Sequence, residues 1–201
     1  MRRVLQRLTD RRRLARRLLA LPDGMSHPDH FELFGLPPRF AIDLDALERA
    51  YKDVQAHVHP DRFASGTAAE RRVAMQWATR ANEAYTTLCS PQKRAAYLVE
   101  RAGVPINAET NTAMPPAFLM QQMEWREALD DARGEPAALA EVRRTMNDER
   151  EELLAAIEHA IDETRDYLQA AAFVRQLMFI DRFASEIGHA DEAMHAPRAS
   201  A

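Results

Sequence analysis

One cysteine, six glycines and only two lysines, Lys52 and Lys93, occur in this chain of 201 residues. The lone cysteine, Cys89, excludes an internal disulfide and any zinc finger built on cysteine pairs, and it suits a reducing compartment. Scarce glycine beside abundant Ala, Leu, Glu and Arg favours helices. No evenly spaced Val/Ile/Thr-rich segments bounded by turn residues occur, so strands are not expected. No apolar run approaches the length of a membrane span. Missing too are a glycine-rich phosphate loop and a nucleophile set beside a base, so the chain supports no chemistry of its own; neither enzyme activity nor a cofactor is expected.

Charge is unevenly placed. The formal net charge is -4. Residues 1–28 carry eight arginines against Asp10 and Asp23, a net of +6, which leaves -10 for the remainder. An acidic body argues against nucleic acid as the main partner. The basic leader, with Leu5, Leu8, Leu14, Leu18 and Leu19, has the Arg-rich, acid-poor character of a mitochondrial presequence, though it lacks Ser before Ser26. It also reads as a surface or RNA-contacting arm. The preferred reading is a gene start placed too early, with the true start at Met25, because the leader's period does not join the downstream core.

Along the rest of the chain, apolar spacing sets out helices. Phe31–Leu36 is a short apolar segment ended by Gly35, Pro37 and Pro38. Asp43 caps a helix whose stripe is Leu44, Leu47, Tyr51, Val54 and Val58, at spacings of three and four, and Pro60 stops it. Thr67 with Glu70 forms a capping box for a helix bearing Ala74, Ala78, Ala81, Tyr85 and Leu88, a small-residue face that lets a neighbouring helix approach closely. Ser90-Pro91 opens another helix, with Tyr97 and Leu98 inward. The pattern lapses over 103–116, read as a linker. Beyond it, Pro115 and Pro116 open a helix to about Ala132; the next carries Leu139, Val142, Met146, Leu153 and Ile157. The last carries Ala170, Val174, Leu177, Ala184 and Ile187. Three helices with short connections predict an antiparallel bundle over 117–188, followed by a disordered tail, 189–201.

The tripeptide His-Pro-Asp occurs twice, at 27–29 and at 59–61. The first copy lies in polar, irregular sequence with no helix leading into it. His59-Pro60-Asp61 ends one amphipathic helix and precedes another, where a turn can present an imidazole, a rigid kink and a carboxylate. Taken alone, His59 also reads as a helix-end histidine bonded to a carbonyl. His57 and His59, two apart, suggest metal ligation, but no cysteine or carboxylate pair completes a site and the downstream proline blocks continued helical projection, so none is expected there.

Phe31-Glu32-Leu33-Phe34-Gly35-Leu36, the amphipathic helix, His59-Pro60-Asp61, the small-residue helix and Lys93-Arg94-Ala95-Ala96-Tyr97 together resemble a J-domain. With Arg62–Gly66 and Ala117–Leu129 added, residues 30–188 resemble the HscB family, the J-type co-chaperones of iron–sulfur cluster assembly. The resemblance implies an all-α, L-shaped protein with a J-domain at 29–102 and a three-helix scaffold-binding bundle. It implies that the chain stimulates the ATPase of a DnaK-type chaperone, HscA or a mitochondrial equivalent. By family analogy Asp61 pairs with a chaperone arginine, His59 orients the turn and Pro60 stiffens it. Arg49, Lys52 and Arg62 would supply the basic surface, with Arg39 nearby; Glu48 and Asp53 interrupt it, and Arg62 stands where the family carries Lys. Ordinary solvated helix pairs explain each of these side chains nearly as well.

In the bundle's first helix, Leu119, Met120, Met123, Glu124, Glu127 and Asp131 recur along one edge, while Phe118, Trp125 and Leu129 offer a second stripe, and both cannot be equally inward. A Met/Leu stripe is ordinarily core. The resemblance instead makes the first set, with Phe179, an exposed patch for the cluster scaffold IscU; Met123 and Asp131 stand where relatives often carry Leu and Glu. Phe179 lies out of phase with Val174 and Leu177, in keeping with exposure. The chain is expected to be monomeric and to bind no cluster itself, in the bacterial cytoplasm, or in the mitochondrial matrix if the leader is a presequence. Two alternatives stay open: a J-protein serving another client, and a small helical metal-binding protein using His57 and His59.

Overall fold

A computed structural model describes residues 28–63, 67–106, 114–132 and 135–195. The leader therefore lies outside the described residues, apart from Pro28, as do half of the 103–116 linker and the end of the tail. Among the described residues there are seven α-helices, a 3-10 turn, a π-helical turn and no strand. The chain divides into two compact units between Arg94 and Ala95. That division falls within a helix, ahead of the linker expected at 103–116.

The first unit begins with α1 (His30–Phe34). Asp29 accepts a hydrogen bond from the Glu32 N–H at 2.8 Å, and the Glu32 carboxylate accepts from the Asp29 N–H at 3.1 Å, a reciprocal capping box. Gly35, at φ 63, closes the helix in the left-handed conformation that disfavours a side chain. This single turn buries Phe31, Leu33 and Phe34. Helix α2 (Leu44–Val58) starts at its Asp43 cap and buries Leu47, Ala50, Val54 and Val58. Leu44, expected inward, is 52% exposed. At 100° per residue it lies about 60° from Leu47, on the flank of the buried line.

Helix α3 (Ala68–Cys89) opens on the Thr67–Glu70 capping box. It buries Ala74, Trp77, Ala81, Ala84 and Leu88, whereas Ala78 and Tyr85 are half-buried. The α2–α3 pair is held by side chains as well as by area. Tyr51 stacks on Tyr85 with ring centroids 4.1 Å apart, and its hydroxyl donates to Asn82 Oδ1 at 2.9 Å. Helix α4 (Pro91–Arg101) follows, its first turn capped by Ser90 Oγ, which accepts from the Lys93 N–H at 3.3 Å. Arg94 is buried; its guanidinium lies 5.0 Å from the centre of the Phe40 ring and donates to the Leu88 carbonyl, locking the α3–α4 corner.

The second unit contains α5 (Pro116–Asp131), α6 (Pro136–Glu158) and α7 (Tyr167–His195). The five residues expected as the stripe of α6 are all buried. Two ion pairs give the register of α6 on α7: Arg150 with Asp181 at 2.8 Å and Arg143 with Asp191 at 3.0 Å. Lower numbers on one helix meet higher numbers on the other, so the two run antiparallel. Their connection is a π-helical turn, His159–Thr164, ended by Arg165 at φ 58. Helix α7 continues to His195, past Gly188, where the sequence had suggested that order ends. Its extra two turns consist mostly of helix formers, and Asp191 ties them to Arg143.

Candidate functional site

Two exposed features stand out, one in each unit. The first is the turn that ends α2. Val58 is its last residue; His59 leaves the helix at φ -59, ψ 127, and Pro60 opens a 3-10 turn, Pro60–Phe63. This is the conformation that the residue before a proline is pushed into. His59 Nδ1 accepts a hydrogen bond from the Asp61 N–H at 3.3 Å, and Asp61 Oδ2 lies 3.5 Å from the same nitrogen. The ring thus meets both the backbone and the carboxylate of Asp61 and braces the turn. The Asp61 side chain is 89% exposed, aimed into solvent. The turn packs against α3. The side chains of Pro60 and Arg62 lie outside the described part of the structure. His57 Nδ1 is 2.6 Å from the Asp53 carbonyl. Among the described residues, no group of three or more His, Cys, Asp or Glu is placed to hold a metal ion.

The basic side chains near the turn are engaged within their own helix. Lys52 Nζ lies 2.6 Å from Glu48, and Arg49 lies 3.7 Å from Asp43. Both pairs are exposed and weak enough for a stronger partner to displace. The Glu48 carboxyl is held below its usual range by the hydrogen bond and charge of Lys52. Arg71 and Arg72, exposed near the start of α3, were not singled out from the sequence. The available signal was two adjacent cations close to a helix N-terminus, where the helix dipole disfavours positive charge.

The second feature is the outer face of α5. Phe118, Trp125 and Ala132 are buried, with Leu129 half-buried, so this stripe is the one that enters the core. Leu119, Met120 and Met123 are 46%, 64% and 62% exposed. Glu124, Glu127 and Asp131 are exposed along the same helix. At 100° per residue, Leu119, Met123 and Met120 fall within an arc of about 100°, and the three carboxylates fall beside Met120. The arrangement is an apolar strip with an acidic border.

Phe179 corrects the sequence reading. It is half-buried against the core, not a free exposed ring. Its centroid lies 5.9 Å from Phe118 and 6.2 Å from Phe183, and the Arg126 guanidinium lies 6.0 Å from it. The out-of-phase position reflects an aromatic cluster that spreads the buried sector of α7, completed by Trp125 stacked on Phe183.

Comparison with known proteins places the chain in a family. A family model described as the HSCB C-terminal oligomerisation domain matches residues 114–188. A protein of Bordetella pertussis, described as a co-chaperone protein HscB homolog, is 56% identical over 166 residues, covering 83% of this chain and 98% of its own. Among solved structures, chaperone HscB from Vibrio cholerae has a TM-score of 0.74 and 32% identity, covering 83% of this chain and 99% of its own. The human co-chaperone protein HscB has a TM-score of 0.79 and 27% identity, covering 85% of this chain and 84% of its own.

Proposed function

The chain belongs to the HscB co-chaperone family, and from that footing we propose that it stimulates a DnaK-type ATPase, HscA, and delivers the iron–sulfur scaffold IscU to it. The observation that carries the reading is a pair of exposed devices, an Asp61 carboxylate on a turn braced by His59 and an apolar strip on α5.

A ligand shifts a two-state partner only by binding its states unequally. Asp61, held by its own backbone bond to His59 and exposed to solvent, suits a charge-assisted bond with a chaperone arginine that exists in one state alone. Arg49 and Lys52 exchange their internal partners for the chaperone's acidic surface, and Arg71 and Arg72 add positive charge from α3. Arg62 and Pro60 act in the same turn. The scaffold seats on Leu119, Met120 and Met123, where pliant apolar side chains supply area and Glu124, Glu127 and Asp131 supply orientation. Phe179, set edge-to-face against Phe118 of α5, contributes the part of its ring left exposed.

The test is a steady-state ATPase assay with HscA and IscU. Stimulation that vanishes with Asp61→Asn supports the reading; no stimulation, or stimulation indifferent to that change, sinks it. A pull-down with IscU separates the alternative client: retention unaltered by Leu119→Ser with Met123→Ser favours a different one. Mass in solution checks the expected monomer, against which the matched family model's description names oligomerisation.

A further inference from the structure

We propose that Met120 and Met123 form a reversible oxidation site through which hydroperoxides switch off scaffold docking. The inference rests on the docking role of the α5 strip. Three methionines with described side chains are more than half exposed: Met75 on α3 and this pair on α5. Met146, by contrast, is 2% exposed inside the second unit's core. Oxidation of a thioether needs an unobstructed sulfur lone pair, so accessibility orders the rates. Met120 and Met123 are three residues apart, one helical turn, and therefore share the outward face. They supply two of the three apolar side chains of the strip.

The chemistry is a two-electron oxygen transfer. A sulfur lone pair attacks the terminal oxygen of a hydroperoxide; the S–O bond forms as the O–O bond breaks. The proton of that oxygen passes to the departing one, which leaves as water from hydrogen peroxide or as an alcohol from an organic peroxide. Sulfur is oxidised to the sulfoxide and the peroxide is reduced. Reduction by a dithiol-dependent sulfoxide reductase returns the thioether, releasing water and leaving a disulfide on the reductant. Each sulfoxide replaces a pliant apolar surface by a strongly hydrated dipole, which a docking partner must desolvate without a prepared donor. Neither side chain packs in a core, so the helix survives the change.

The experiment uses the full chain, hydrogen peroxide and IscU. Peptide mass mapping follows oxygen uptake at each methionine, and binding to IscU is measured before and after treatment. Met120 and Met123 should oxidise well ahead of Met146, and affinity should fall by roughly tenfold or more. Met120→Leu with Met123→Leu should keep its own untreated affinity for IscU, whatever that is, through the same treatment, although Met75 still oxidises. Affinity unchanged by complete oxidation of both residues would overturn the proposal, as would Met146 oxidising as fast. If the untreated chain does not bind IscU, the docking assignment fails instead, while the order of oxygen uptake still judges the site.

Discussion

Asp29 and Asp61 each end a His-Pro-Asp tripeptide, and the chain employs them in opposite ways. The Asp29 carboxylate turns inward on its own backbone, accepting the Glu32 N–H at 2.8 Å and starting α1. The Asp61 carboxylate faces solvent, 89% exposed, while its backbone N–H is held by His59. What differs is the helix. At Asp29 a helix begins, and its free N–H groups claim the nearest acceptor. At Asp61 a helix has ended, its last carbonyls cannot use a carboxylate, and the group remains available. The two apolar stripes of α5 repeat the contrast on a larger scale: Trp125 and Phe118 meet an aromatic cluster, whereas Leu119, Met120 and Met123 meet nothing within their own unit that buries them.

Substitutions on both sides of each contrast should separate stability from binding. The largest effect is expected at Trp125→Ala, which empties the centre of the second unit's core. A loss of about 3–5 kcal/mol should appear in urea unfolding followed by circular dichroism. On the opposite face of the same helix, Leu119→Ser with Met123→Ser should shift the unfolding midpoint little, because exposed substitutions change stability by about 0.5 kcal/mol or less. Binding to IscU, measured by calorimetry, should nonetheless weaken about tenfold or more, equivalent to at least about 1.4 kcal/mol. A stability loss at Leu119 and Met123 comparable with that at Trp125 would erase the distinction between the stripes.

Asp29→Ala removes an N-cap and should cost about 1 kcal/mol in the first unit while leaving ATPase stimulation intact. The smallest effect concerns His30, the first residue of α1. Burial first, and the Arg80 charge second, lower its pKa from the ordinary 6.5, against the pull of Asp29 and Glu83. As pH falls through about 6.5 the unfolded chain takes up the proton before the folded one, so stability declines there and is recovered at higher pH. His30→Gln should flatten that slope in thermal unfolding between pH 7 and 5.

The helices were readable wherever one residue sufficed to begin or stop them: Asp43, Thr67 with Glu70, Ser90, and Pro60 after Val58. The three- and four-residue stripe of α6 was fully legible because its apolar residues are large and few. Trp77 escaped notice inside α3 because the run of alanines defined a narrower face than the helix buries. Phe179 was misread for a related reason. A phase argument assumes one line of contact, and an aromatic cluster widens the buried sector. The two stripes of α5 were both visible as patterns, but which one lies inward depends on the aromatic residues of α7, and that pairing is written in no local spacing. Charge pairing was half legible: Glu48 already interrupted the basic patch in the sequence, whereas Asp43, read only as a helix cap, was not seen as the partner of Arg49.

The central claim is that the His59–Asp61 turn addresses the chaperone and the α5 strip addresses the scaffold, each without the other. It is tested most directly by HscA ATPase rates across an IscU titration for the native chain, for Asp61→Asn, and for Leu119→Ser with Met123→Ser. Asp61→Asn should abolish stimulation at every IscU concentration while IscU binding stays native. The α5 variant should keep the stimulation seen without IscU and lose the added response to low IscU. Loss of IscU binding in Asp61→Asn, or an undiminished response to low IscU in the α5 variant, would contradict the account.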